Sequence, residues 1–206
     1  MIEFSETQLQ IMEALARYKY LTSSQLVKLG ITGDRRSIYR AISKMPGSRT
    51  PYIDRKNFPP IPGVGKIESV YFLSPKAAEI LKSELDYEPN QIRYPRSRQS
   101  FFSRDYYHRL GTVDFQIAWD SYRKENNLPE IDFRTYFDFE GANHSGKGEP
   151  LRSLTRIPVE GHGRGFIVPD AVLRYEQEDG NERLFLYELA NGRDANYIMK
   201  QIYGHA

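Results

Sequence analysis

Two capping signals near the N-terminus set the frame in which the first thirty residues can fold. Ser5-Glu6-Thr7-Gln8 and Thr22-Ser23-Ser24-Gln25 each put a hydroxyl at a helix N-cap and a glutamine three residues on, so that each satisfies the other's orphan backbone donor. After the first, Leu9, Met12, Leu15 and Ala16 recur at helical spacing and predict a helix to about Tyr18. After the second come Leu26 and Leu29, and Gly30 stands where a left-handed residue ends a helix. The second helix is therefore short.

Beyond the turn Ile31-Thr32-Gly33, Asp34 can cap the segment DRRSIYRAISKM. There Ile38, Ala41, Ile42 and Met45 form one apolar stripe, and Arg35, Arg36, Tyr39, Arg40 and Ser43 form the opposite one. Two short helices around a tight glycine turn, the second bearing arginines at its start, match a helix-turn-helix whose recognition helix enters the major groove. On an isolated helix the same stripe reads more readily as a solvated face.

The next segment favours the first reading. YIDRK (52–56) and ESVYFL (68–73) alternate in the strand period, and NFPPIPGVGK between them is rich in structure-breaking residues. A hairpin after the third helix makes a winged helix-turn-helix, with Arg55, Lys56 and Lys66 on the wing to meet phosphates or the minor groove. Ser74-Pro75 opens a fourth helix to about residue 85, with proline at its permitted first position.

Charge follows the same division. The net charge is +2, yet residues 1–110 hold 18 Lys and Arg against 11 Asp and Glu, while residues 111–206 hold 11 against 16. A basic front suits phosphate binding and an acidic back suits carboxylates around a metal, though both patterns also fit ordinary surfaces. The absence of cysteine excludes disulfides, thiolate zinc sites and a cysteine nucleophile. No apolar run approaches the length of a membrane span and MIEFSETQLQ lacks the features of a signal peptide, so a cytoplasmic protein is expected.

At 206 residues two domains are expected: a winged helix over 1–86, a basic linker over 87–104 and a second domain over 105–206. The linker holds Arg93, Arg96, Arg98 and Arg104 and either lies along phosphates or spaces the domains. The second domain reads α-β-β-β-α, giving an α+β fold class overall: DYYHRLGTVDFQIAWDSYRKEN, EIDFRTYFDFE, GFIVPDAVLRYEQ, ERLFLYELA and ANYIMKQIY. Residues 141–165, with His144 and His162, read as a long glycine-rich loop, and Glu178-Asp179-Gly180-Asn181 as a hairpin turn.

Two carboxylates stand out in that hairpin. Asp170 follows Pro169 and Glu188 ends the apolar strand LFLYEL, so cross-strand pairing can bring them together as a site for Mg²⁺ that activates water. Lys200 on the following helix can supply positive charge, with Arg193 and Gln201 as substitutes. The structural alternative is that Asp170 caps a turn and Glu188 pairs with Arg193 or Lys200. His108 is a candidate acid or base, or a packed histidine. Tyr106 and Tyr107 raise the separate prospect of a tyrosine nucleophile.

The whole chain resembles the replication-relaxation family of plasmid-encoded proteins, which includes MobC-type mobilisation proteins. The resemblance is carried by LTSSQLVKL, VYFLSPKAAEIL, HRLGTVDFQIA, VPDAVLRY and LFLYELANGRD. It implies a winged helix joined to a domain similar to the PD-(D/E)XK nuclease fold, acting in mobilisation or replication by processing or relaxing origin DNA. On that pattern Asp170 matches the motif's aspartate and Glu188 its acidic partner. Ala190 stands where the motif has lysine, so activity would call on Lys200 from the helix. Folds of this type commonly continue beyond the helix that here precedes Gly204-His205-Ala206, so a shortened relative or truncated chain is expected.

Three functions are consistent with these features. One is a DNA-binding accessory protein of a plasmid or other mobile element, recognising double-stranded DNA through Arg35, Arg36, Tyr39 and Arg40 alongside other mobilisation or replication proteins. Another is a Mg²⁺-dependent nickase with Asp170 and Glu188 as metal ligands and Lys200 or His108 assisting. The last is a transcription regulator, a homodimer on palindromic sites, whose second domain binds a partner or small ligand.

Overall fold

The computed structural model describes residues 3–46, 51–95, 105–140, 151–159, 165–176 and 180–190. Across them the chain is α+β, with helices and small antiparallel sheets in two compact units, residues 1–117 and 118–206. No helix among the described residues is long and apolar enough to cross a membrane.

The first unit begins as its caps require. Helix α1 (Glu6–Tyr18) starts at Ser5, whose backbone N–H donates to Gln8 Oε1 at 2.9 Å while its hydroxyl accepts from the Gln8 amide. Strand β1 (Leu21–Thr22) runs directly into α2 (Ser23–Lys28), because Thr22 is both a strand residue and the N-cap. Gly30 adopts φ 78° and donates its N–H to the Val27 carbonyl, closing α2. Helix α3 (Arg35–Ser43) starts at Asp34, which accepts from the Ser37 amide at 3.0 Å.

Strands β2 (Ile53–Lys56) and β3 (Val70–Leu73) form the expected antiparallel hairpin, with Ile53 opposite Leu73 and Lys56 opposite Val70. Strand β1 adds to the other side of β3, giving the order β1-β3-β2. Helix α4 (Pro75–Glu84) follows with Ser74 as its cap. Ile11, Met12, Leu15, Leu21, Leu26, Ile38, Val70 and Leu81 are wholly buried and form the core of this unit. Burying such side chains gains about 1.5–3 kcal/mol each, which is what holds so short a helix as α2 in place.

The expected linker is structured where it is described. Ile92 is buried, the Arg93 N–H donates to the Ala16 carbonyl at 2.8 Å, and the Arg93 guanidinium donates to the Arg17 carbonyl at 2.6 Å. Arg96, Arg98 and Arg104 lie outside the described residues. Helix α5 (Tyr106–Glu125) contains the division between the units. Residues 105–117 cluster with the first unit because Gln25 and Lys28 of α2 reach Asp114, each at 3.4 Å, and Tyr106, Val113 and Ile117 are buried.

The second unit is built on a three-stranded antiparallel sheet of order β10-β9-β4. Its strands are β4 (Asp132–Thr135), β9 (Ala171–Glu176) and β10 (Glu182–Tyr187). Four further two-residue strands pair off: β5 (Phe139–Glu140) with β6 (Arg152–Ser153), and β7 (Ile157–Pro158) with β8 (Phe166–Ile167). The simple α-β-β-β-α order is therefore corrected. EIDFRTYFDFE divides into β4 and β5, and GFIVPDAVLRYEQ into β8 and β9, broken at Val168–Asp170. Pro169 has no N–H for a ladder, and its carbonyl instead accepts from the Thr155 hydroxyl at 2.7 Å. The expected loop over 141–165 likewise holds strands β6 and β7 where it is described. The expected final helix lies outside the described residues.

Candidate nucleic-acid interface

The most distinctive surface of the first unit is the outer face of α3. Ile38 is fully buried, and the Ala41 carbonyl accepts from Gln8 Nε2 of α1 at 3.0 Å, so the helix is seated along its inner side. That seating leaves Arg35, Arg36, Tyr39, Arg40 and Ser43 exposed together. Ser43 caps its own turn by donating to the Arg40 carbonyl at 3.0 Å. The β2–β3 hairpin adds Arg55 and Lys66, both exposed, and Lys56, half-buried. Its loop closes in a tight turn, with the Gly65 N–H donating to the Ile61 carbonyl at 2.8 Å and Gly63 and Gly65 at φ 76° and 89°. A side chain there would be strained.

The two surfaces are tied together by a group that sequence patterning did not single out. Glu68, just before β3, accepts from Arg35 Nη1 at 3.0 Å and from the Ser23 hydroxyl at 2.7 Å. The Ser23 hydroxyl in turn lies 3.0 Å from the Tyr39 hydroxyl. The Tyr39 ring stands 6.4 Å from that of Tyr71, whose hydroxyl is bonded by Arg55. Burial pushes the Glu68 carboxyl up, but hydrogen bonds from Ser23, Ser24 and Arg35 outweigh it and hold the group below its ordinary range. Glu68 is thus an anion in place at neutral pH. The available signal was one of two acidic residues in a basic hairpin, the other being Asp54, and the partners of Glu68 lie 33 and 45 residues away.

Tyr106, a candidate nucleophile by sequence, is placed against that role. Its side chain is buried, its hydroxyl donates to the Glu68 carbonyl at 3.0 Å, and its ring meets Phe58 edge-on at 4.9 Å. Burial, reinforced by the Glu68 charge, pushes its pKa up to about 12, whereas a nucleophile needs it lowered. Unfolded tyrosine ionises near 10, so the folded state holds this proton longer. The stability it contributes is whole below pH 10 and is lost as pH rises towards about 12. Denaturant melts of wild type and Tyr106→Phe across that window should show the wild type losing stability faster; parallel curves would exclude the assignment. Tyr107 is exposed, with its ring edge-on to that of Tyr106.

In the second unit the two proposed carboxylates flank one end of the β9–β10 ladder. The ladder ends at Tyr187 opposite Ala171, so Asp170, just before β9, and Glu188, just after β10, lie beyond the same end of it. Asp170 is buried, and its Oδ2 accepts from the Leu189 N–H at 2.7 Å, fastening the end of β10 to the start of β9. Glu188 is half-buried. Among the described residues no group of three or more His, Asp or Glu side chains is placed to hold a metal ion. Two carboxylates, one already engaged by a backbone donor, are a thinner donor set than the several oxygens Mg²⁺ takes. His108, half-buried on α5, belongs to the first unit, and its carbonyl accepts from the Thr112 hydroxyl. Lys200, Arg193 and Gln201 lie outside the described residues.

No family model, no curated protein and no solved structure matches this chain.

Proposed function

We propose that the first unit is a winged helix-turn-helix module that binds double-stranded DNA, with α2 and α3 as the helix-turn-helix and the β2–β3 hairpin as the wing. The observation that carries this reading is the shared exposure of Arg35, Arg36, Tyr39, Arg40 and Ser43 on one face of α3, beside a hairpin bearing Arg55, Lys56 and Lys66. Guanidinium groups on a helix of this kind suit phosphate oxygens and base edges, and the hairpin cations suit flanking phosphates. The resemblance to the replication-relaxation family supplies the setting: a cytoplasmic protein acting at a plasmid or other mobile-element origin with further mobilisation or replication proteins. Binding of the full chain to origin duplexes, measured over a range of salt, tests this. A steep loss of affinity with salt is expected, and its absence would rule the reading out.

A second reading rests on the placement of Asp170 just before β9 and Glu188 just after β10, at the same end of their ladder. In a domain similar to the PD-(D/E)XK nuclease fold these carboxylates would hold Mg²⁺ for DNA nicking. Under this reading supercoiled plasmid is nicked only with Mg²⁺, and Asp170→Ala and Glu188→Ala each abolish the activity. Metal-independent nicking, or none, removes it and leaves DNA binding standing.

A further inference from the structure

We propose that Arg35, held in place by Glu68, reads the edge of a guanine in the major groove, and that Glu68 is the positioning residue that gives the module this specificity. The inference rests on the DNA-binding reading and divides the arginines of α3 by role.

An arginine on a surface helix samples many rotamers, and fixing it on binding costs side-chain entropy. Arg35, though its side chain is 56% exposed, is already engaged. Its Nη1 donates to Glu68 Oε1 at 3.0 Å, and Glu68 is itself held from α2 by the Ser23 hydroxyl at 2.7 Å. The Glu68 backbone carbonyl is held from α5 by the Tyr106 hydroxyl at 3.0 Å. An isolated surface ion pair would order little. Here the carboxylate is three-quarters buried and anchored by separate elements, so it is a rigid stop for the guanidinium.

The chemistry left over is specific. A guanidinium has five donors in one plane, and the carboxylate engages it at Nη1 alone. The remaining donors keep the fork geometry that meets O6 and N7 of guanine, the commonest base-specific contact in the major groove. Arg35 is also the first residue of α3, where recognition helices meet base edges. The Glu68 charge meanwhile offsets that of Arg35, which makes it a poor phosphate anchor. Arg36 and Arg40, on the same face, form no ion pair with a carboxylate among the described residues, Arg36 acting on Asp34 only through its charge, and are left for phosphates.

The test begins with the full-length wild type and a randomised duplex library, followed by titrations of the selected duplex and of versions with one guanine changed to adenine. The wild type should lose roughly tenfold or more in affinity at one guanine position. Glu68→Gln keeps the side chain's size and removes its charge. It should reduce that discrimination to less than about threefold at the same position, with the salt slope unchanged and the other positions still read. Arg35→Lys, at an exposed site, keeps the charge and loses the planar fork, so it should show the same selective loss whether or not Glu68→Gln folds. Full discrimination in either folded variant, or a wild-type selection without a fixed guanine, overturns the proposal while DNA binding survives. Failure of the wild type to bind any duplex in a salt-dependent way overturns both.

Discussion

Replacing Arg36 and Arg40 together by alanine is expected to weaken duplex binding by about 50- to 100-fold near 0.1 M salt and to make the salt dependence shallower by about 1.8. The estimate follows from counterion release, in which each neutralised phosphate contributes about 0.9 to the slope of log affinity against log salt. Both residues are exposed on the outer face of α3, away from Ile38, so their loss leaves the helix seated. Titrations at several salt concentrations, with thermal melts confirming an unchanged fold, measure the effect. An unaltered slope would move the phosphate-binding surface elsewhere and remove α3 as the recognition helix.

The second large effect concerns what seats that helix. Ile38 is wholly buried at the centre of α3, whereas Ala41 and Ile42 on the same stripe are only half-buried. Ile38→Ala is expected to destabilise the first unit by about 2–4 kcal/mol, through lost transfer free energy and the cavity left behind. For a unit of this size that lowers the melting temperature by about 10 °C or more. DNA binding should fall with it, since α3 depends on Ile38 for its attachment, and cooling should restore part of the affinity. A melting temperature within a degree or two of wild type would show that the apolar stripe is not what holds α3.

The two effects come from opposite sides of one helix, and both sides were legible from residue spacing. The helix starts were equally legible, since a capping box is a local interaction among four residues, and both boxes form as written at Ser5 and Thr22. Strand β1 was not legible. It is two residues long, and Thr22 carries a helix-start signal that masks its pairing with Val70. The division at residue 117 was hidden for a different reason. The polar contacts of Gln25 and Lys28 with Asp114 span more than 80 residues and leave no periodic trace.

In the second unit, the pairing of β9 with β10 could be read because a turn signal separates two strand-period runs. The split of β8 from β9 needed Pro169 to be weighed as a ladder break rather than as part of one continuous strand. Glu68 marks the limit of such reading. Its importance lies in partners on α2 and α3 that only the tertiary fold brings to it.

The double duty of Thr22 carries a consequence for how the first unit opens. Its side chain accepts from the Gln25 amide at 3.2 Å, its own N–H donates to Gln25 Oε1 at 2.9 Å, and its backbone stands in register with Val70. Helix α2 has six residues and cannot persist alone. With no spare residue between strand and helix, α2 has no independent fraying transition. It is lost and regained with the β1–β3 ladder as one cooperative unit, so the scaffold behind α3 is either wholly formed or wholly open.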